Sequence, residues 1–385
     1  MTEKLYDTNA YLKTFSATVV DCIPKDDGYL VVLDRTAFFP EGGGQYGDTG
    51  SIGGVPVFDT QIREGVIFHQ TKEPIKVGTS LECQLDWNER FRRMQHHSGE
   101  HIVSGIVHSL FGFENVGFHL SDREMTMDYN GEFSADDLRR VEELSNRAVW
   151  ENREILCRYP SEEELNRLQY RSKKELTEAV RIVTVDGVDV CACCAPHVKR
   201  TGEVGGISVV DAIRWKGGTR FTVRCGSDAY DEYCTLRRDE KSLSALFSAP
   251  RGQIFSVAEK LHQDYADLRR RYASLLKENA LLQLNQLPSC EGNLCFLLPD
   301  GDTDTLRAAV NEGIKKCTGV VVCLSGNDTN GYRYVIGSNI PGLREKAKEI
   351  NTALSGRGGG SDTMIQGSFS VSEQTIRDYF KEFQI

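Results

Sequence analysis

The sequence has no apolar run approaching the ~18 to 20 residues of a membrane span, and its opening residues, MTEKLYDTNAYLK, lack the apolar stretch of a secretory signal. These absences predict a soluble, cytoplasmic protein with no membrane contact. Proline is sparse, 10 in 385 residues, and no low-complexity tract occurs, which excludes a disordered or fibrous chain. Positive charge is short as well: 46 Lys and Arg stand against 56 Asp and Glu, a formal charge of −10. The surface as a whole therefore repels polyanions, and any contact with nucleic acid must be local. What is present, 39% hydrophobic and 9% aromatic residues, is a folding composition. At the usual ~150 residues per domain the length suggests two or three domains.

Twelve cysteines in a chain read as cytosolic point to reduced thiols. Nine, from Cys22 to Cys323 and including Cys290, are scattered and read as small buried apolar groups. Cys191, Cys193 and Cys194 form the one tight cluster, of the kind that binds metal or reacts.

The pattern predicts an α+β multidomain fold. Over 1–88, short alternating segments (FSATVVDCI, GYLVVLD, VPVFDTQI, GVIFHQT, TSLECQLDW) predict a small β-barrel, interrupted by a loop in which Gly42, Gly43 and Gly44 follow one another. Over 89–240 helical and strand-like pieces are segregated, as in an α+β layer domain. Met94, Ile102, Ile106 and Leu110 fall at helical spacing before a stop at Gly112. Ser134 and Asp137 cap a helix running towards Ile155, and another helix is expected over Ser161 to Leu168. From Glu175 the chain returns to strands. Over 241–288 Leu261, Leu268, Leu275 and Leu282 lie seven apart, predicting a helical arm that forms either a hairpin or a homodimer. Leu287, Pro288 and Ser289 mark a boundary. Over 289–385 the order βαββα predicts a small α/β domain in which SGRGGGSDTMIQGS is a loop before a last helix.

His97 and His101, at i and i+4, place two imidazoles on one helix face, and Cys193 and His197 form a second pair. Either pair alone is weak; together they supply three imidazoles and a thiolate, a donor set that suits tetrahedral zinc. Cys191 and Cys194 compete with Cys193, and His96 with His97. Glu100 reads as part of a solvated helix face, and His119 as a candidate support for a ligand. Lys199, Arg200, Lys216, Arg220 and Arg224 offer positive charge for terminal phosphates.

HSGEH at 97–101 and CCAPHVKRTGEVG at 193–205 resemble the paired HxxxH and CxxxH motifs of the alanyl-tRNA synthetase editing domain. RTAFFPEGGGQYGDTG at 35–50 is similar to the glycine-rich motif before that domain, and KGGTRFTVRCG at 216–226 to the segment that closes it. The heptad arm and the last domain look like the C-terminal C-Ala domain. In place of the family's glycine-rich CGGTH this chain has CCAPH, whose Pro196 stiffens the loop. The resemblance covers essentially the whole chain and is to the free-standing editing proteins, without the aminoacylation half. It implies an ATP-independent hydrolase that removes serine, and secondarily glycine, from mischarged tRNA-Ala, with zinc held by His97, His101, Cys193 and His197. It further implies that Gln45 and Glu41 act on the ester and that Thr36, Gly42, Gly43, Gly44 and Arg200 contact the substrate. Two other classes are compatible with the residues: a non-catalytic zinc-containing tRNA adaptor, and a zinc hydrolase acting on a small molecule.

Overall fold

The structure is a computed structural model in which residues 2–121, 124–172, 180–286, 288–289 and 291–385 are described. Cys290, Leu287 and the stretch 175–179, singled out above, lie outside the described residues. Two compact units occur, Met1–Glu240 and Lys241–Ile385. Among the described residues no helix is long and apolar enough to cross a membrane.

In the first unit six strands pair in a closed barrel: β1 (Thr14–Lys25), β2 (Gly28–Leu33), β3 (Gly50–Ile52), β4 (Val55–Arg63), β5 (Val66–Thr71) and β6 (Ser80–Leu85), in the order β1-β2-β5-β4-β3-β6. Alternate residues such as Val19, Val31, Leu33, Ile52 and Val57 fill its interior. Strand β3 falls inside the segment read from sequence as one long loop. Three residues flanked by glycines carry too little alternation to be seen, yet they close the ring between β4 and β6.

Asp86 accepts the Glu89 N–H and opens α1 (Trp87–Phe111), and Gly112, at φ 69°, ends it. The chain then forms β7 (Asn115–Leu120), β8 (Met125–Tyr129), α2 (Ala135–Trp150), β9 (Ile155–Arg158), β10 (Ile182–Val185), β11 (Asp189–Ala192), β12 (Ile207–Trp215) and β13 (Gly218–Cys225). The capping box of Ser134 and Asp137 starts α2, which stops at Trp150, short of Ile155; a second box at Ser161 and Glu164 starts a short helix over Glu162–Arg167. One antiparallel sheet runs β12-β13-β8-β7 and another β9-β10-β11. Helix α1 packs on α2, β7, β11 and β13, so almost its whole middle, from Arg93 to Ser104, is enclosed.

Two helices follow, α3 (Gly226–Phe247) and the heptad-bearing α4 (Ile254–Gln286). The heptad residues Leu261, Leu268, Leu275 and Leu282 of α4 are 53 to 63% exposed, so no part of the described chain covers them. The second unit continues with β14 (Leu294–Leu297), α5 (Thr303–Gly313), β15 (Val320–Asn327), β16 (Gly331–Ser338), α6 (Leu343–Ala353), β17 (Arg357–Gly360), β18 (Met364–Phe369) and α7 (Glu373–Glu382). Its sheet runs β14-β15-β16-β18-β17 with helices on both faces. Val320, Val322 and Leu324 pack towards α6 and α7, while Val321 and Cys323 pack towards α5 and the end of α4. The expected glycine-rich loop is thus a correction: Arg357–Gly360 and Met364–Phe369 pair as a hairpin at the sheet edge. Glycine lowers strand propensity, which hid the pair. A Cβ at Gly358 would lie 2.2 Å from the Gln366 carbonyl oxygen, so close approach of the two backbones is what requires the residue.

Candidate metal centre

Helix α1 presents His97 and His101 with their rings stacked, centroids 5.8 Å apart, and the turn after β11 brings His197 against both, at 5.0 and 4.8 Å. Cys193 Sγ lies 3.4 Å from Nε2 of His97 and 3.4 Å from Nε2 of His197. One donor atom from each of the four residues falls within 4.8 Å of all the others.

Each imidazole is held by a different partner through Nδ1. His97 Nδ1 is 3.0 Å from Gln45 Oε1, His101 Nδ1 is 2.8 Å from Asp189 Oδ2, and His197 Nδ1 is 3.1 Å from Ser98 Oγ. Gln45 and Asp189 accept the Nδ1 proton, which leaves Nε2 of His97 and His101 as lone-pair donors facing the cysteine. Among the described residues, buried His101 Nε2 has no hydrogen-bond partner. In a tetrahedral zinc site, with bonds of ~2.0–2.1 Å to nitrogen and ~2.3 Å to sulfur, N and S stand about 3.5 Å apart. The two 3.4 Å separations match that edge, so the donor set fits a metal ion in both type and size.

Burial raises the Cys193 thiol, but the charges of His97 and His197 and hydrogen bonds from His101 and His197 outweigh it and hold the thiol well below its ordinary range. That favours the thiolate, the form a metal binds. Burial lowers His101, yet the charge of Glu100 and the bond to Asp189 lift it well above its usual value, so a metal binding at Nε2 displaces a proton there. For His197 burial prevails and drives the imidazole down to about 3.

The rival donors are engaged elsewhere. His96 holds the Arg92 carbonyl through Nδ1 and accepts the Cys225 N–H, so it fastens α1 to β13. Cys191 is buried beside His101 and Asp189, but both Asp189 oxygens are occupied by Arg171 and His101. Cys194 is exposed.

The glycine loop stands beside the cluster. Gly42 and Gln45 exchange backbone hydrogen bonds, and the two residues between, Gly43 and Gly44, have φ of 61° and 83°, the positive values a two-residue hairpin turn of type I′ needs. A Cβ on Gly43 would come within 3.8 Å of His97 Cε1 and 3.9 Å of Cys194 Sγ. Gln45 is fully buried, and among the described residues its Nε2 has no hydrogen-bond partner. Asp48 and Arg90, both buried, form an ion pair that also ties the Phe39 N–H and the carbonyls of Ala10 and Ala37, clasping this loop to α1.

Other expected residues lie apart. The Thr36 hydroxyl is bonded to His69 Nε2 inside the barrel, at 2.8 Å. Glu41 is exposed and accepts from Gln61, and the Arg200 guanidinium donates to the Asn152 carbonyl. Arg220 is paired with Asp128 and Arg224 with Glu232, so neither charge is spare for phosphate. Two readings are corrected. Glu100 is fully buried, its Oε1 accepting from Ser104 and Asn115 at 2.7 Å each and its Oε2 lying 3.8 Å from His101 Nε2, because α1 is enclosed on every side. His119 is exposed and packs against Tyr46, touching none of the four donors.

Sequence reasoning missed Asp189, Arg171, Ser98 and Arg181, which donates to the carbonyls of Cys193 and Ala195 and shapes their turn. Their distance along the chain from the groups they hold left no spacing to read.

Residues 6–89 match the family described as tRNA synthetases class II (A), and residues 180–221 the threonyl and alanyl tRNA synthetase second additional domain. An alanine–tRNA ligase of Pyrococcus abyssi is 30% identical over 95% of this chain, which spans 42% of that ligase's length. The alanyl-tRNA editing protein AlaX-L of Pyrococcus horikoshii is 29% identical over 98% of this chain and 97% of its own. The alanyl-tRNA editing protein Aarsd1-B of Xenopus laevis is 27% identical over 90% and 86%. The crystal structure of the C-Ala domain from Aquifex aeolicus alanyl-tRNA synthetase aligns with 23% of this chain and 86% of its own at 20% identity, with a TM-score of 0.19.

Proposed function

We propose, from its similarity over nearly its whole length to alanyl-tRNA editing proteins, that this chain hydrolyses the ester joining a wrong amino acid to tRNA-Ala, serine first and glycine second. The observation that carries this reading is the convergence of three imidazoles and a thiolate beside a glycine turn whose Gly43, lacking a Cβ, faces His97 and Cys194. His97, His101 and His197 through Nε2, and Cys193 through Sγ, would hold zinc, which when bound supplies Lewis-acid stabilisation of charge developing on the ester oxygen.

The residues of the chain do the rest. Gln45 fixes His97 with its carbonyl oxygen and keeps a buried amide donor for the substrate's carbonyl or hydroxyl. A site that hydrogen-bonds a hydroxyl can discriminate by up to ~10⁴-fold against the analogue that lacks it, which sets serine ahead of alanine and of glycine alike. The Gly43–Gly44 turn admits the 3′ end. The second unit acts as a C-Ala-like module that grips tRNA, and the bare leucine stripe of α4 meets the same stripe of a second copy. The reaction uses no ATP and belongs to the cytoplasm.

One observation favours a different reading: four donors already complete a tetrahedron, which is how structural zinc sites are built. Such a protein would be a tRNA-binding adaptor. Release of serine from Ser-tRNA-Ala and of alanine from Ala-tRNA-Ala, measured for the zinc-loaded protein and for Gln45→Ala and His101→Ala variants checked for folding, separates the two. Rapid loss of serine alone, lost in the folded variants, supports the hydrolase; tRNA binding with neither ester cleaved supports the adaptor.

A further inference from the structure

We propose that Tyr46 and His119 form a stacking platform for the terminal nucleobase of the tRNA, an inference that rests on the substrate reading above. Residues 44–46 run alongside β7: the Gly44 carbonyl accepts the Leu120 N–H at 2.7 Å, and Gln45 pairs with Leu120. Side chains alternate along both segments. Gln45 and Phe118 turn to the metal centre, Gln45 bonded to His97 and the Phe118 ring 4.8 Å from the His97 ring. Their neighbours Tyr46 and His119 turn outward, edge to face, with centroids 5.7 Å apart and planes at 83°.

Both outward rings are exposed, Tyr46 at 37%, and among the described residues neither makes a hydrogen bond or ion pair that would account for its position. The group that would touch the amino acid and the ring that would touch the base are therefore consecutive residues on opposite faces of one short segment. A single nucleotide crossing that segment would address both, because its ribose carries the ester on one carbon and the base on another. The platform is also rigid: a Cβ at Gly44 would lie 2.5 Å from the Phe118 carbonyl oxygen, so the two backbones are in contact. Stacking on a fixed aromatic surface is sequence-tolerant and needs no basic residue, which suits a chain of net charge −10.

The test uses the full-length, metal-loaded chain and its Tyr46→Ala, Tyr46→Trp and His119→Ala variants. KM and kcat are measured on Ser-tRNA-Ala, and Kd by calorimetry for the uncleavable 3′-(serylamino)-3′-deoxyadenosine and for its counterpart lacking the base. The expected result for Tyr46→Ala is a rise of about tenfold in KM and in Kd for the nucleoside, with kcat moved less than KM, Kd for the baseless analogue unmoved and metal content intact. Tyr46→Trp should recover most of the loss, and His119→Ala should share part of it. A nucleoside Kd within twofold of the parent overturns the platform, as does a fall in kcat accompanied by loss of metal, which would make the pair a mere prop for the loop. If the parent chain cleaves no aminoacyl-tRNA and binds no nucleoside, the substrate reading fails and the platform with it. Cleavage by the parent with an unmoved Tyr46→Ala Kd removes the platform alone.

Discussion

His69 sits fully buried inside the barrel, its Nδ1 donating to the Val31 carbonyl and its Nε2 accepting from the Thr36 hydroxyl, which in turn accepts the Phe38 N–H. That chain of bonds is closed only by a neutral imidazole. Burial pushes its pKa down to about 4 from 6.5, against the opposing pull of the Val31 carbonyl. With a folded pKa below the unfolded one, the unfolded chain binds the extra proton as pH falls. The contribution is therefore complete above pH 6.5 and drains away towards pH 4, by about 3 kcal/mol in all. Denaturant unfolding of the protein between pH 7 and 5 should show the decline, and the His69 ring resonances should not titrate over that range; a midpoint near 6.5 would contradict the assignment. Gly44 makes a second residue-scale prediction. Alanine there meets a φ of 83° and the Phe118 backbone, whereas at Gly42, where φ is not positive, a Cβ would find its nearest neighbours at 3.7 and 3.8 Å. Gly44→Ala should cost about 2 kcal/mol or more and Gly42→Ala well under 1 kcal/mol, read as shifts in the denaturant midpoint.

Helix α1 shows at the scale of an element what a sequence discloses and what it hides. The i, i+4 spacing of His97 and His101 and the stop at Gly112 are local, so they were legible. Glu100 was not, because amphipathic reading assumes one wet face, and this helix is enclosed by α2, β7, β11 and β13. The same holds for Asp189: it lies on β11, 88 positions from His101, and only the packing of that strand on α1 brings them to 2.8 Å. Burial alone would raise the Asp189 carboxyl, but hydrogen bonds from His101 and Arg171 and their charges hold it below its usual value. As a buried carboxylate that orients a ligand, Asp189 should behave as an outer-sphere support. Asp189→Asn is expected to weaken zinc or cobalt binding by about 10- to 100-fold in chelator competition. Asp189→Ala should also leave the partly buried Arg171 without its partner, at about 3 kcal/mol in unfolding experiments. Unchanged metal affinity in Asp189→Asn would remove Asp189 from the site.

Over the whole molecule, the charge of −10 has to be reconciled with the polyanionic substrate proposed above, and on that proposal the two units divide the task. The first holds the four donors. The second has a cleft of about 820 Å³ whose lining includes Arg269, Arg333 and Arg357. Arg357 lies on β17, the glycine-rich strand the sequence presented as a loop, two residues before Gly359, where a Cβ would meet nothing within 4 Å and a phosphate can come close to the backbone. A few local cations on an acidic body should release few counterions. The dependence of KM for Ser-tRNA-Ala on salt should therefore be shallow, with a log–log slope of about 3, far from the slope of about 10 seen when many phosphates are neutralised. Arg357→Gln should raise KM severalfold and reduce that slope by about 1, while kcat stays put because the residue belongs to a different unit from the donors. A steep slope in the parent would mean that phosphate contacts are spread widely despite the net charge. A slope unaltered by Arg357→Gln would assign the grip on tRNA to the first unit, and the base platform beside Gln45 would then have to carry more of the affinity.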